Sequence, residues 1–231
     1  MSASAEEPTA RTAALRRLRR VRLYVVTAAA QPPERALDTV RAACDGGAEV
    51  VQLRRKEEDA LRTLRLAERC REVVAASGTL LVVNDRLDIA MAAGADGVHL
   101  GQDDLPLAAA RRLWPEGLVG RSTHSLDQAL TAQAEGADYI GVGPVWATPT
   151  KPGRPAVGLE LVRAVAAARL GIPWVAIGGV DEATLDSVLG AGAGAVAVVR
   201  AVSGAADPLA AARRLHQRIR QSMAALAGSG A

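Results

Sequence analysis

A Gly-Ala step that closes a helix-like stretch and opens an apolar run occurs four times, and it constrains the fold more than any other feature. The four copies are Gly47-Ala48-Glu49-Val50, Gly94-Ala95-Asp96-Gly97-Val98, Gly136-Ala137-Asp138-Tyr139-Ile140 and Gly192-Ala193-Gly194-Ala195-Val196. Glycine can adopt the left-handed conformation that ends a helix, and a short turn then leads into a strand. The copies lie 47, 42 and 56 residues apart. A strand–helix unit is commonly about half as long, so each interval is predicted to hold two units.

Further short apolar runs between the copies complete a set of eight predicted strands, as is typical of parallel strands covered on both faces. These strands are Leu23–Thr27, Val50–Arg54, Leu80–Val83, Gly97–Leu100, Leu118–Ser122, Tyr139–Val142, Trp174–Ile177 and Ala195–Val199. Helix-like stretches between and after them include Ala60–Ala76, Ala108–Leu113, Leu126–Glu135, Leu159–Arg169 and Pro208–Ala225. The alternation predicts an α/β protein, a single (β/α)8 TIM barrel. The alternative is a doubly wound open sheet, but no GxGxxG motif opens a first helix.

Charge and composition exclude several classes of protein. Residues 1–22 hold six arginines and two glutamates, and their net charge of +4 exceeds the net charge of +3 for all 231 residues. The basic character therefore belongs to an arm, and it does not favour a nucleic-acid partner. The longest uncharged stretch, 187–199, is too short to span a membrane. We expect a flexible basic N-terminal arm at 1–20, the barrel at 21–226 and a C-terminal tail at 227–231, with homo-oligomerisation left open.

The two cysteines, Cys44 and Cys70, lie in helix-like stretches without metal-ligand spacing. We interpret them as reduced, structurally minor thiols, which favours a cytoplasmic protein.

The polar residues that follow the predicted strands would share one rim of a barrel, where the active sites of such folds lie. They comprise cations, carboxylates and hydrogen-bonding groups: Gln52, Arg54, Lys56, Asn84, Asp85, His99, Gln102, Asp103, Asp104, Ser122, His124, Thr148, Thr150, Lys151, Gly178, Gly179 and Arg200. Several cations with two or three carboxylates suit a polyphosphate held together with Mg2+. Glycines after strands seven and eight suit a second, monophosphate site.

Simpler interpretations exist for single motifs. Asn84-Asp85 could merely cap a helix, and His99 lacks further ligands at metal spacing. Ser122 and His124 lack a nucleophile elbow, which disfavours a hydrolase triad. The loop from Gly143 to Gly153, rich in proline and threonine, is typical of a binding loop.

Five segments together resemble one family. They are Val51-Gln52-Leu53-Arg54-Arg55-Lys56, Val83-Asn84-Asp85-Arg86, Gly97-Val98-His99-Leu100-Gly101-Gln102-Asp103-Asp104, Gly141-Val142-Gly143-Pro144-Val145-Trp146-Ala147-Thr148-Pro149-Thr150-Lys151 and Ile177-Gly178-Gly179-Val180. Their order and spacing resemble the thiamine-phosphate synthase family, over about Leu23 to Arg218. The resemblance implies small-molecule substrates: a pyrimidine diphosphate and a thiazole phosphate or its carboxylate, joined to give thiamine phosphate and diphosphate.

The resemblance also implies roles for individual residues. The residues that it implies for binding the pyrimidine diphosphate are Gln52, Leu53, Arg54, Arg55, Lys56, Asn84, Ser122 and Lys151. Four of these, Arg54, Lys56, Ser122 and Lys151, are expected to be catalytic. The residues that it implies for binding the thiazole phosphate are Thr148, Pro149, Thr150, Gly179, Val199 and Arg200. Asp85 and Asp104 are expected to bind Mg2+.

Three departures and two alternatives accompany the resemblance. Arg55, Arg86 and Trp146 differ from residues common in relatives. A related thiazole tautomerase carries His where this chain has Pro144, and it lacks the full set of diphosphate residues. A non-catalytic binder of a phosphate ligand would not need the two carboxylates that this chain retains.

Overall fold

A closed barrel of eight parallel strands in sequential order forms the centre of the computed structural model, which describes residues 9–56, 58–148 and 155–228. The strands are β1 (Leu23–Val26), β2 (Val50–Leu53), β3 (Leu80–Asn84), β4 (Gly97–Leu100), β5 (Leu118–Thr123), β6 (Tyr139–Val142), β7 (Trp174–Ile177) and β8 (Val196–Val198). Strand β8 closes the barrel on β1, with Val196 opposite Leu23. The predicted (β/α)8 TIM barrel is confirmed.

Helices connect the strands and surround the barrel. In the described part of the chain they are α1 (Ala10–Leu18), α2 (Pro33–Asp45), α3 (Ala60–Ser77), α4 (Leu87–Ala92), α5 (Leu107–Leu113), α6 (Leu126–Ala134), α7 (Gly158–Ala168), α8 (Leu185–Gly190), α9 (Arg200–Ser203) and α10 (Pro208–Gly228). Side chains cap several of them: Asp59 accepts a hydrogen bond from the N–H of Arg62 in α3, and Ser125 accepts one from Gln128 in α6. Among the described residues, no helix is long and apolar enough to cross a membrane.

Alternation along the strands separates two apolar clusters. In β1, Leu23 and Val25 belong to the large cluster between the sheet and the helices, whereas Tyr24 and Val26 belong to a smaller cluster inside the barrel. Successive strand residues point to opposite faces, which is why each strand supplies both clusters. The inner cluster forms the floor beneath the carboxyl ends of the strands.

The N-terminal segment differs from the expected flexible arm, because residues 10–18 form helix α1 against the barrel. Ala14 and Leu18 are buried and join the inner cluster. Arg11 bonds Asp138 just before β6, at 2.5 Å, and Arg17 donates to the carbonyl of Gly78 just before β3. Both partners precede strands, so α1 covers the amino-terminal mouth of the barrel.

Shortening Leu18 should therefore weaken the fold. Its side chain is only 2% exposed, and Leu18→Ala is expected to lower the free energy of unfolding by about 2 kcal/mol, the lower end for a buried leucine at a core edge. Urea denaturation measures this. The matched control is Leu61→Ala on α3, where the side chain is 55% exposed. Equal effects of the two substitutions would contradict the packing of α1 on the barrel.

Glu49 links β1, β2 and α10 at the same end of the barrel. One carboxylate oxygen accepts hydrogen bonds from the backbone N–H groups of Arg22 and Leu23, at 3.0 and 2.9 Å. The other lies 3.0 Å from Nε2 of His216. Burial opposes ionisation, but the hydrogen bonds from His216, Leu23 and Arg22 outweigh it and lower the pKa of Glu49 below its ordinary value.

This lowered pKa gives a pH dependence of stability. The Glu49 contribution is fully present above the ordinary pKa of glutamate and is lost as the pH falls through the lower folded-state pKa. Glu49→Gln is expected to flatten the decline of unfolding free energy between about pH 5 and pH 3, measured by urea denaturation at each pH. Glu116→Gln, at an exposed position, is the control. An unchanged slope in Glu49→Gln would refute this role.

Candidate active site

The carboxyl ends of the strands open on one cavity. Eight of the residues predicted to bind substrate line it: Gln52, Arg54, Asn84, Ser122, Thr148, Gly179, Val199 and Arg200. These residues lie at the carboxyl ends of six different strands or in the loops that follow them: β2, β3, β5, β6, β7 and β8. The closed parallel barrel brings them together because all of its strands end at the same rim.

Two buried side chains in the cavity have polar atoms without a hydrogen-bond partner. Arg54 is 8% exposed and Asn84 is 5% exposed, and neither Nε of Arg54 nor Nδ2 of Asn84 is hydrogen bonded. Burial lowers the pKa of Arg54, and the charge of Asp85 opposes that change. Unpaired buried donors are costly in a folded protein. Their presence at the cavity wall indicates a ligand that supplies acceptors.

Lys56, Asp85 and Asp104 form a charged cluster beside the cavity. Nζ of Lys56 lies 2.5 Å from a carboxylate oxygen of Asp85, and the carboxyl groups of Asp85 and Asp104 lie close enough to affect each other's ionisation. Asp104 also accepts a hydrogen bond of 2.6 Å from the N–H of Gly101. The structure therefore places both predicted metal ligands side by side, next to a predicted diphosphate residue.

The carboxylate pair could hold a cation. Burial and the hydrogen bond with Asp104 raise the pKa of Asp85, despite the hydrogen bond from Lys56. Burial also opposes ionisation of Asp104, but the N–H of Gly101 and the bond with Asp85 outweigh it and lower that pKa. Two neighbouring carboxyl groups offer oxygen ligands to a hard divalent cation. Within the described residues, no group of three or more His, Cys, Asp or Glu is arranged around a metal position.

Asp85 has an unusual backbone. Its φ of 61° lies in the left-handed region, which a residue with a side chain rarely adopts. The N–H of Asp85 nevertheless continues the sheet by donating to the carbonyl of His99, at 2.9 Å. Such conformations persist where the surrounding structure enforces them, often at functional sites. Here the turn carries the carboxylate towards Asp104.

The loop after β7 presents backbone N–H groups to the cavity. Gly178 and Gly179 have φ angles of 100° and 69°, which favour glycine. A Cβ on Gly178 would lie 2.4 Å from Cβ of Pro144, so this loop also packs closely on the β6 loop. Within the described part of the chain, the N–H groups of Gly179 and Val180 donate to no backbone carbonyl. Free N–H groups in such a turn suit an anion.

Two predicted diphosphate residues have side chains that do not face the cavity, which corrects the expectation for them. Leu53 is fully buried in the cluster between sheet and helices. Arg55 bonds Glu58 at 2.7 Å and donates to the carbonyl of Gln31. Because side chains alternate along an extended segment, Gln52 and Arg54 point inward and these two point outward.

Three predicted site residues are not part of the structural description. Pro149, Thr150 and Lys151 lie outside the described residues, so their expected roles with the thiazole phosphate and the diphosphate stay predictions.

Sequence reasoning missed two tyrosines of the barrel interior. Tyr24 lines the cavity, and its hydroxyl lies 2.9 Å from that of Tyr139. His99, which the sequence placed on the rim but without metal-ligand spacing, lines the same cavity. The sequence signal that could have indicated Tyr139 is Gly120 in β5, because a Cβ at this position would lie 2.2 Å from the ring of Tyr139. A glycine in a strand interior can mark a site where a large side chain needs room.

Comparisons with known proteins agree with this geometry. A family model described as "Thiamine monophosphate synthase" matches residues 23–202. A thiamine-phosphate synthase of Thermus thermophilus is 54% identical over 187 residues, which are 80% of this chain and 90% of that protein. One from Mycobacterium sp. (strain KMS) is 51% identical over 203 residues, 84% and 90% of the two chains.

Solved structures give the same result. The thiamine phosphate pyrophosphorylase of Pyrococcus furiosus superposes with a TM-score of 0.81 at 35% identity, covering 87% of this chain and 96% of that one. A 3-hexulose-6-phosphate synthase, with a TM-score of 0.63 at 22% identity over 84% and 98% of the two chains, shares the fold alone. The family match over most of the chain and these close relatives lead to one conclusion: the chain belongs to the thiamine monophosphate synthase family.

Proposed function

We propose that the chain is a transferase that makes thiamine phosphate. Its substrates would be 4-amino-2-methyl-5-hydroxymethylpyrimidine diphosphate and 4-methyl-5-(2-phosphoethyl)thiazole or its carboxylate. Relatives named thiamine-phosphate synthase that are 54% and 51% identical support this activity. The observation that carries it is the cavity wall in which Arg54 and Asn84 hold unpaired buried donors, because a diphosphate supplies the acceptors that these donors lack.

The reaction exchanges one bond for another. The C–O bond between the pyrimidine methylene and the diphosphate breaks, and the diphosphate leaves with the electron pair. The aminopyrimidine delocalises the resulting cation, and the thiazole nitrogen then forms the new C–N bond. When the substrate is the thiazole carboxylate, its carboxylate group leaves as CO2 and the electron pair stays on the ring carbon, which takes up a proton. No side chain has to act as a nucleophile. The protein has to stabilise the leaving anion and to exclude water from the cation.

The pyrimidine diphosphate would lie at the ends of β2, β3 and β5. Arg54 and Lys56 supply positive charge to the leaving group, and Asn84 donates through its side-chain amide. Ser122, 7% exposed at the end of β5, faces the same cavity. Donors that are already oriented stabilise developing negative charge without reorganisation.

The thiazole phosphate would lie on the opposite part of the rim, at the ends of β6, β7 and β8. Gly179 offers its backbone N–H, and Thr148, Val199 and Arg200 line the adjoining wall. This arrangement follows the common placement of phosphate sites after the last two strands of such barrels. It leaves the thiazole ring between its own phosphate and the pyrimidine.

Asp85 and Asp104 would hold Mg2+ together with the diphosphate. When bound, the ion neutralises charge on the leaving group and orients it. The neighbouring carboxyl groups of Asp85 and Asp104 beside Lys56 fit this role, because Mg2+ commonly binds one or two carboxylates plus substrate phosphates. Because both cysteines are free thiols, the cytoplasm is the compartment that we expect.

The direct test mixes purified protein with both substrates and Mg2+. Thiamine phosphate and diphosphate are expected in equal amounts, measured by mass spectrometry and a diphosphate assay, with none formed when either substrate is omitted. Absence of product from active, folded protein would overturn the proposal. Proton exchange on the thiazole without coupling would support the tautomerase instead.

A further inference from the structure

A chain of five hydrogen-bonded side chains crosses the inside of the barrel. Nε2 of Gln52 donates to the hydroxyl of Tyr24 at 2.7 Å, and that hydroxyl lies 2.9 Å from the hydroxyl of Tyr139. The Tyr139 hydroxyl lies 3.1 Å from Nδ1 of His99, and Nε2 of His99 lies 3.0 Å from Oγ of Ser122. The chain begins and ends at residues that line the substrate cavity.

The Gln52 amide, with Nε2 towards Tyr24, sets a direction for this chain. The amide nitrogen of Gln52 can only donate, so Tyr24 accepts from it, and the hydroxyl of Tyr139 is the acceptor that remains for the Tyr24 proton. Tyr139 in turn donates to Nδ1 of His99. A neutral imidazole that accepts at Nδ1 carries its proton on Nε2, so His99 donates to Oγ of Ser122. The proton of Ser122 is then directed to a partner in the cavity.

The surroundings keep this direction stable. Tyr24 and Tyr139 are each 1% exposed, and burial raises the pKa of both well above the ordinary value, although the hydrogen bond from Gln52 opposes this at Tyr24. Both phenols therefore keep their protons at neutral pH. Helix α1 covers the inner cluster from below through Leu18. Hydrogen-bonded groups at the buried centre of a chain such as this have few alternative partners.

We propose that Tyr24, Tyr139 and His99 are positioning residues that hold the Ser122 hydroxyl as a hydrogen-bond donor towards the diphosphate. His99 does this as the neutral tautomer protonated at Nε2. The inference rests on the proposed function for the identity of the anion. The orientation of the hydrogen bonds rests only on the contacts above.

The tautomer can be measured without any activity. The protein has three histidines, so nitrogen-15 labelling of histidine and the variants His124→Gln and His216→Gln assign the signals of His99. The expected spectrum shows a neutral ring protonated at Nε2. A ring protonated at Nδ1, or at both nitrogens at neutral pH, would overturn the proposal. In Tyr139→Phe the preference for Nε2 is expected to weaken.

Kinetics then test whether the chain acts through Ser122. Tyr139→Phe is expected to lower kcat/KM for the pyrimidine diphosphate about tenfold, the equivalent of one hydrogen bond, with the KM for the thiazole phosphate unchanged. The double variant Tyr139→Phe, Ser122→Ala should lose no more than Ser122→Ala alone, because the hydroxyl to be oriented is then missing. Additive losses, or no loss in Tyr139→Phe, would contradict the proposal.

The control for a general loss of packing is Thr63→Val on α3. The Thr63 hydroxyl is buried and donates to the carbonyl of Asp59, away from the cavity. Its removal is expected to lower the melting temperature but to leave both KM values unchanged. If the wild-type protein makes no thiamine phosphate, the proposed function fails, and the His99 spectrum still decides whether the chain has the stated direction.

Discussion

Arg54→Met is expected to weaken binding of the pyrimidine diphosphate about 100-fold while leaving the fold at least as stable as the wild type. The lost affinity corresponds to charge-assisted hydrogen bonds between a guanidinium and a diphosphate. Stability is retained because methionine replaces a buried cation whose Nε has no partner. Calorimetry measures the dissociation constant, and urea denaturation measures the free energy of unfolding.

Arg55→Met is the matched control, and it should give the opposite result. The guanidinium of Arg55 bonds Glu58 and the carbonyl of Gln31 and points away from the cavity. Its loss leaves a mostly buried carboxylate unpaired, so the free energy of unfolding should fall by about 1–2 kcal/mol. Diphosphate binding should be retained. If both variants lose affinity equally, the inward and outward assignment of these neighbouring arginines is wrong.

The barrel could be predicted from sequence because its signals are local. Strands β4, β6 and β7 have the predicted limits, since each is a short apolar run after a recognisable turn. The differences elsewhere concern strand ends. Thr27, for example, lies beyond β1 but still donates to the carbonyl of Gln52 at 3.0 Å, so the ladder continues past the assigned limit.

Helix α1 could not be predicted in the same way. Its arginines dominate the sequence, and only a narrow stripe with Ala14 and Leu18 is buried. The surface that this stripe contacts exists only after the barrel has closed. A short basic segment with few apolar residues therefore has the same pattern whether it is a solvated tail or a cover for the barrel mouth.

The predicted residues at strand ends line one cavity, whereas sequence reasoning did not locate two other kinds of residue. Leu53 and Arg55 were included because they lie within a matching motif, although alternation places their side chains outward. Tyr24 and Tyr139 were missed because they are 115 residues apart and each lies in an apolar run that is typical of core. Only the closed barrel brings their hydroxyl groups together.

Asp104→Asn should impair the proposed cation site without disturbing the rest of the cavity. We expect kcat to fall about 100-fold or more, the size typical for removal of a preorganised charge-stabilising group, and the Mg2+ concentration for half-maximal rate to rise. Asparagine keeps an oxygen that can accept the hydrogen bond from Gly101, so the loop should stay in place. Steady-state rates over a range of Mg2+ concentrations measure both effects.

The neighbouring substitution Asp103→Asn removes the same charge from an exposed position and is expected to leave kcat close to wild type. Affinity for the thiazole phosphate should be unchanged in both variants, because that substrate would lie near Gly179, across the rim from Asp104. Calorimetry with the thiazole phosphate alone checks this. A loss of a ligand to the ion should affect only the part of the cavity that holds the diphosphate. A loss of thiazole affinity equal to the loss of turnover would therefore mean that Asp104 maintains the shape of the whole cavity and does not act through a cation site.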